Sequence, residues 1–220
     1  KGGVILPRYG QASFIRGRNV NFQKFFASIH CPILHSVHGM GICEAGVFVP
    51  IAEDAIMLGL GSACNEDGLE QVRQVMIRNG VTDMPVSHNT TIHDSFESGG
   101  EFHVDMFFGV VDLGVAVIYP AAMDYQAYKW LDERGFRFIE VPPDEQRLFC
   151  PANLVILEPG KVIMAAGAKE TIRRVRDAGV KVLELDTSGI TAGTNGIRCV
   201  TTHLVRDEGP GLSDLRHTAL

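Results

Sequence analysis

A chain of 220 residues, 45% of them hydrophobic, has enough apolar surface for one sizeable core. Its formal charge of −6, with basic residues dispersed along the chain, argues against an electrostatic nucleic-acid footprint. No apolar run approaches the roughly 20 residues of a membrane span, and five cysteines without framework spacing predict a reducing, cytoplasmic setting.

Taken in order, Val4 to Arg8 reads as a strand. Arg18 to Ile29 reads as a helix with Phe22, Phe25, Phe26 and Ile29 on one side, and Pro32 to Val37 as a second strand. A fuller unit follows: strand, tight turn and strand over 47–59, a helix over Glu66–Arg78 stopped by Asn79 and Gly80, and a strand over Met84–Ser87. The same order recurs twice. Residues 106–120 form a hairpin, Ala122–Glu133 a helix ended by Gly135, and Phe138–Val141 a strand. Residues 153–167 form the next hairpin, Lys169–Asp177 a helix ended by Gly179, and Val180–Leu185 a strand. A Gly/Thr/Ser loop to Asn195 leads to a last predicted strand, Cys199–Val205. The expected organisation is one domain over 1–206, with repeats near 44–88, 103–142 and 153–186 and a closing strand over 199–206. Residues 207–220 are expected to form a frayed, flexible tail. The first unit looks incomplete, because the chain opens on Lys1 and runs straight into a strand. The expectation is a longer native chain, a homo-oligomer, or a partner segment that completes the unit.

Repeats of this length build a solenoid, a propeller or a closed ring. Here the chemical side chains recur at one position: Glu44 before the first full repeat, His103 and Asp105 before the second, and Cys199 after the third. A ring that converges them on an axis fits best. A thiolate is a strong nucleophile, an imidazole beside it moves protons, and a carboxylate orients the imidazole. Cys199, His103 and Glu44 are therefore the candidate catalytic set. Asp105, two residues from His103, shares its face if both lie on a strand, and suits a cationic substrate group. Gly99 and Gly100 before His103, and Gly196 before Cys199, allow close backbone approach. Arg8, Arg16 and Arg18 flank a helix start and suit a substrate carboxylate.

Plainer roles compete. Cys31, Cys43, Cys64 and Cys150 read as core thiols. His30, Cys31, His35, His38 and Cys43 are dense enough to raise a zinc site, but no C-x2-C pair accompanies them. His88 and His93 fall in a polar loop and read as solvated.

Three segments carry a resemblance. Gly41 to Phe48 (Gly-Ile-Cys-Glu-Ala-Gly-Val-Phe), Phe102 to Asp105 (Phe-His-Val-Asp) and Asn195 to Thr201 (Asn-Gly-Ile-Arg-Cys-Val-Thr) resemble, in order, three motifs of the pentein superfamily of guanidino-group-modifying enzymes. That resemblance implies a five-bladed α/β propeller of ββαβ repeats around a polar central axis, with the first blade incomplete in this chain. It implies attack by Cys199 on an amidino carbon, protonation of the leaving group by His103, and guanidinium binding by Glu44 and Asp105. A covalent thiouronium would then be resolved by water or by an acceptor amine. The substrate class is a small guanidino or ureido metabolite, and no cofactor or metal is expected. A hydrolase, an amidinotransferase and a catalytically silent binding protein all remain open. The chain departs from the motifs at Val47, where many members have a second aspartate. It departs again at Ala63, which takes the place of an arginine in a stretch that ends at Asn65, a further substrate-binding candidate.

Overall fold

Each apolar run pairs with its neighbour in the same way three times over. The computed structural model describes residues 2–10, 17–89, 103–191 and 196–217. Arg16, His93, Gly99, Gly100, Phe102 and Asn195, all named above, lie outside them. A parallel pair comes first: β1 (Val4–Leu6) and β2 (Ile33–Ser36), connected through α1 (Arg18–Ser28). In the next unit β3 (Phe48–Ala52) runs antiparallel to β4 (Ala55–Leu60). Helix α2 (Glu66–Arg78) then crosses back and β5 (Val86–His88) joins β4 in parallel. The following unit repeats this with β6 (Phe108–Asp112), β7 (Val115–Ile118), α3 (Tyr125–Asp132) and β8 (Arg137–Glu140).

One element intervenes that the sequence pattern does not announce, α4 (Pro143–Phe149). It is only 7 residues long and shows no full amphipathic period, so its signal is the proline and acids of its first turn, Pro143, Asp144 and Glu145. The last unit comprises β9 (Val155–Glu158), β10 (Lys161–Ala165), α5 (Lys169–Asp177) and β11 (Lys181–Leu185).

The middle strand of each unit is flanked on both sides, which explains its uninterrupted apolar sequence. Ala55 to Leu58 and Val115 to Ile118 are buried at every position. The helices end where the glycines predict: Gly80, Gly135 and Gly179 take φ of +90°, +76° and +92°, a conformation a side chain disfavours. β3 packs against β6, and β6 against β9, so the first strands of successive units stand side by side. The fold is a propeller-like ring of α/β units. Three apolar clusters fill the spaces between elements, one around Met57, Phe108, Ile118 and Leu131, one around Val117, Leu154, Met164 and Ile172, and one around Val37, Ile56, Leu58 and Val72.

Two expectations about the C-terminal part need correcting. Cys199 does not open a strand. Residues Arg198–Val200 form a single 3-10 turn, in which Cys199 N–H donates to Gly196 O (3.2 Å) and Thr201 N–H to Arg198 O (3.0 Å). Those donors are consumed locally, so no ladder starts there. The tail is not loose at 210–215 either. Leu212 and Leu215 are buried in the cluster around Met57, Pro210 O accepts the Glu53 N–H, and Leu212 N–H donates to Asp54 Oδ1 at 2.7 Å. Two leucines in a polar stretch are enough to dock it, each burial contributing about 1.5–3 kcal/mol.

Candidate active site

Asn65 begins the construction. It caps α2, its Oδ1 accepting the Gly68 N–H (2.9 Å) and also the Ile42 N–H (2.8 Å), while its Nδ2 donates to Met40 O (2.9 Å). Both polar atoms of the amide bond the framework, so Asn65 fixes the 40–42 loop that leads into Glu44. Cys43, one residue further on, exchanges backbone hydrogen bonds with Arg8, and Glu44 N–H donates to Ala63 O (3.0 Å). Cys43 and Cys64 are buried with their sulfurs 3.0 Å apart. Their mutual hydrogen bond and burial push the Cys43 thiol far up, which keeps it inert.

Glu44 then points one oxygen, Oε1, at the Gly10 N–H (3.2 Å) and the other, Oε2, at His103 Nε2 (3.1 Å). The imidazole lies close against Gly46 in the turn Ala45–Val47 that follows Glu44. A Cβ on Gly46 would sit 2.4 Å from His103 Nδ1, so only glycine admits the ring. Val47, the position without the second carboxylate, is buried in this same turn. Burial acts to lower the pKa of His103. The Glu44 hydrogen bond, with the charges of Asp105 and Glu44, outweighs it against an opposing Arg198, and the net shift is upward. The imidazole is therefore more readily cationic than a free one.

His103 caps a 3-10 turn, Val104–Met106, rather than standing on a strand. Successive residues of such a turn point different ways, so Asp105 does not share the face of His103. It turns inward to 4% exposure, where Oδ2 meets Arg198 Nη1 at 3.3 Å. Its Oδ1 is buried without a hydrogen-bond partner. Burial raises the pKa of Asp105, with Arg198, His103 and Asn153 pulling the other way. The turn is held from behind by Cys150, whose Sγ donates to Met106 O (2.8 Å), and by Gln146 Nε2, which donates to the same carbonyl (3.0 Å).

Asn153, buried just before β9, ties the remaining parts together. Its Nδ2 donates to Asp105 O (3.1 Å) and faces Cys199 Sγ at 3.4 Å; its Oδ1 accepts the Arg198 N–H (2.8 Å). Gly196 passes so close that a Cβ there would fall 2.0 Å from Asn153 Oδ1. Cys199 is exposed as a residue, yet its sulfur has Met106 Sδ at 3.9 Å on the inner side. Burial of the thiol and the charge of Asp105 push its pKa up to about 11, against a backbone hydrogen bond at Gly196, Asn153 and Arg198.

The structure thus joins Glu44 to His103 directly, and Asp105 to Cys199 through Asn153. Arg18 stays exposed at the start of α1, near enough for its charge to reach Tyr9, which also feels Glu44. Arg8 donates to Gly39 O, and His35 pairs with Gln71 (3.0 Å). Cys31, expected in the core, is partly exposed, and His88 lies beside Asp124 (3.4 Å). Sequence reasoning misses Asn153 and Arg198 as site residues. For Asn153 the available signal is its place at the front of the third repeat, in register with Glu44 and with the His103–Asp105 pair.

Known proteins align with this picture. The arginine deiminase family model matches residues 123–206. A 2-nitroimidazole nitrohydrolase of Mycobacterium sp. (strain JS330) is 31% identical over 225 aligned residues, covering 99% of this chain and 59% of that protein. The N-terminal domain of ArgZ, a cyanobacterial arginine dihydrolase, superposes with a TM-score of 0.79 at 18% identity, over 93% of this chain and 71% of that one. A dimethylarginine dimethylaminohydrolase of Pseudomonas aeruginosa, solved with citrulline, gives 0.68 at 20% identity, over 86% and 66%. The fold is that of the pentein superfamily. The chain spans about three fifths of the length of its nitrohydrolase relative. Among the described residues, no helix is long and apolar enough to cross a membrane.

Proposed function

We propose that this chain carries the active site of a thiol-dependent hydrolase that cleaves a C–N bond at a carbon flanked by nitrogen, through a covalent adduct on Cys199. The observation that carries it is the buried network in which Glu44 grips His103 while Asn153 links Asp105 to the Cys199 sulfur. The named activities of the relatives supply a common chemical denominator. Arginine, dimethylarginine and 2-nitroimidazole each present an sp² carbon bonded to nitrogens, one of which leaves.

The steps follow from the residues. Cys199 gives its proton to solvent and its thiolate adds to the electron-poor carbon, forming the C–S bond. The C–N bond to the leaving group then breaks. An amine leaving group takes a proton from the His103 imidazolium, whereas an anionic one departs without it and the imidazolium then gives its proton to solvent. His103, once neutral, accepts a proton from water, and the hydroxide adds to the same carbon. The C–S bond breaks, releasing the carbonyl product and returning the thiolate. Glu44 holds the imidazole in place and favours its cation, the role a carboxylate plays in catalytic triads.

The test is intact-protein mass spectrometry after brief mixing with a panel of guanidines, ureido compounds and 2-nitroimidazole, on the native protein and Cys199→Ala. The expected result is a mass increase on the native protein alone, followed by release of product in water. Equal adducts on both proteins would refute Cys199 as the nucleophile.

A further inference from the structure

The place expected for a substrate cation already holds one from the protein. Arg198 Nη1 lies 3.3 Å from Asp105 Oδ2, and Nη2 of the same guanidinium donates to Phe48 O at 3.0 Å. The Arg198 backbone N–H is fixed on Asn153 Oδ1. Main chain and side chain are thus held separately, and the guanidinium cannot leave Asp105 without giving up two contacts. The other carboxylate, Glu44, is engaged by His103. Among the described residues Asp105 is therefore matched by the Arg198 cation and Glu44 is hydrogen-bonded to His103, with apolar Val47 buried in the turn beside them.

We infer that Arg198 is a specificity-determining residue, which by neutralising Asp105 from within makes the site select neutral, planar C–N substrates over guanidinium and amidinium cations. The inference rests on the hydrolase reading above and narrows its substrate class. A cation entering the site would shed its hydration and find Asp105 already paired, while facing the Arg198 guanidinium at close range. A neutral amidine-type group or azole ring sheds far less.

Two small alkylating agents of nearly the same shape test this whatever the natural substrate is: chloroacetamide, which is neutral, and chloroacetamidine, which is cationic at neutral pH. Cys199 labelling is followed by mass spectrometry, and each rate is divided by that of free glutathione, which removes the intrinsic difference between the reagents. Any change in thiol reactivity cancels in the ratio. The native protein is expected to favour chloroacetamide by about tenfold or more. Arg198→Met is expected to move the ratio about tenfold toward the amidine, with Arg198→Gln moving it in the same direction should the methionine variant fold poorly. A native preference for the amidine, or a ratio unchanged in both variants while Cys199 still labels first, overturns the assignment alone. Labelling of Cys199 no faster than Cys31 by either reagent overturns the thiol reading and this inference together.

Discussion

Glu44 and His103 are carried on turns that run directly into β3 and β6, whereas Cys199 rides on a turn with no strand behind it. The first two inherit their positions from sheet ladders, from the Asn65 cap and from the Gln146 and Cys150 bonds to Met106. Cys199 depends on the Asn153 amide and on the side chain of its neighbour Arg198, which bonds Asp105 and Phe48 O, together with the docking of Leu212 and Leu215 further along the chain. The proposed acid–base side of the site is thus built into the repeats, and the proposed nucleophile is tied to it by side chains.

The strongest way to break the comparison is at the reacting groups. Cys199→Ala is expected to lower kcat by about 10⁴-fold or more with little change in thermal stability. Glu44→Gln keeps a hydrogen-bonding side chain but removes the charge. It is expected to reduce kcat about 10²- to 10⁴-fold and to lower the His103 pKa seen by NMR titration, because the Glu44 hydrogen bond and charge are among the causes that raise it. Next comes the tether. Asn153→Leu removes the amide from Cys199 and leaves the Arg198 N–H without its acceptor, and a loss of about 10²-fold in kcat/KM is expected. The Cys199 pKa should rise at the same time, since Asn153 acts to lower it. If Asn153→Leu is active and Gly46→Ala, which crowds the His103 ring, is not, the nucleophile's support lies elsewhere.

Smaller effects sharpen the same contrast. Leu212→Ala should cost about 2–3 kcal/mol in urea unfolding if the tail is docked as described, and close to nothing if it is free. The pH dependence of Cys199 alkylation follows from a thiol held at about 11. The rate should climb about tenfold per pH unit from 7 to 10, with no plateau near 8.5. Asp105→Asn should bring the plateau to lower pH, because the Asp105 charge is one of the causes that hold the thiol protonated. The mildest change is Glu145→Ala. Its carboxylate accepts the Glu170 and Thr171 N–H groups at the start of α5, 2.7 and 2.8 Å away, and its loss should cost about 1 kcal/mol while leaving kcat unchanged.

Much of this molecule is legible in its residues, for reasons that differ from element to element. The helices over 66–78 and 169–177 fall on the expected residues, because an apolar stripe with a glycine stop is a signal contained within a dozen positions. The hairpins are legible from apolar runs broken at Asp54, Gly114 and Gly160, and the repeat register points to Glu44, His103 and Asp105. α4 is too short to show a period. The strand expected from Cys199 fails because apolar alternation cannot reveal whether a partner edge is there to pair with.

The sequence by itself determined which units form, their order, and which side chains stand at the front of each, since local pattern and turn chemistry act over a few residues. Tertiary structure alone decided which of those side chains meet. Asn153 reaches Cys199 across 46 positions and Asp105 across 48, and the Arg198 side chain reaches Phe48 across 150. Hydrogen bonds and ion pairs act over about 3 Å. Only the closing of successive units around the axis brings such distant residues within that range, and with them the internal cation that Asp105 holds.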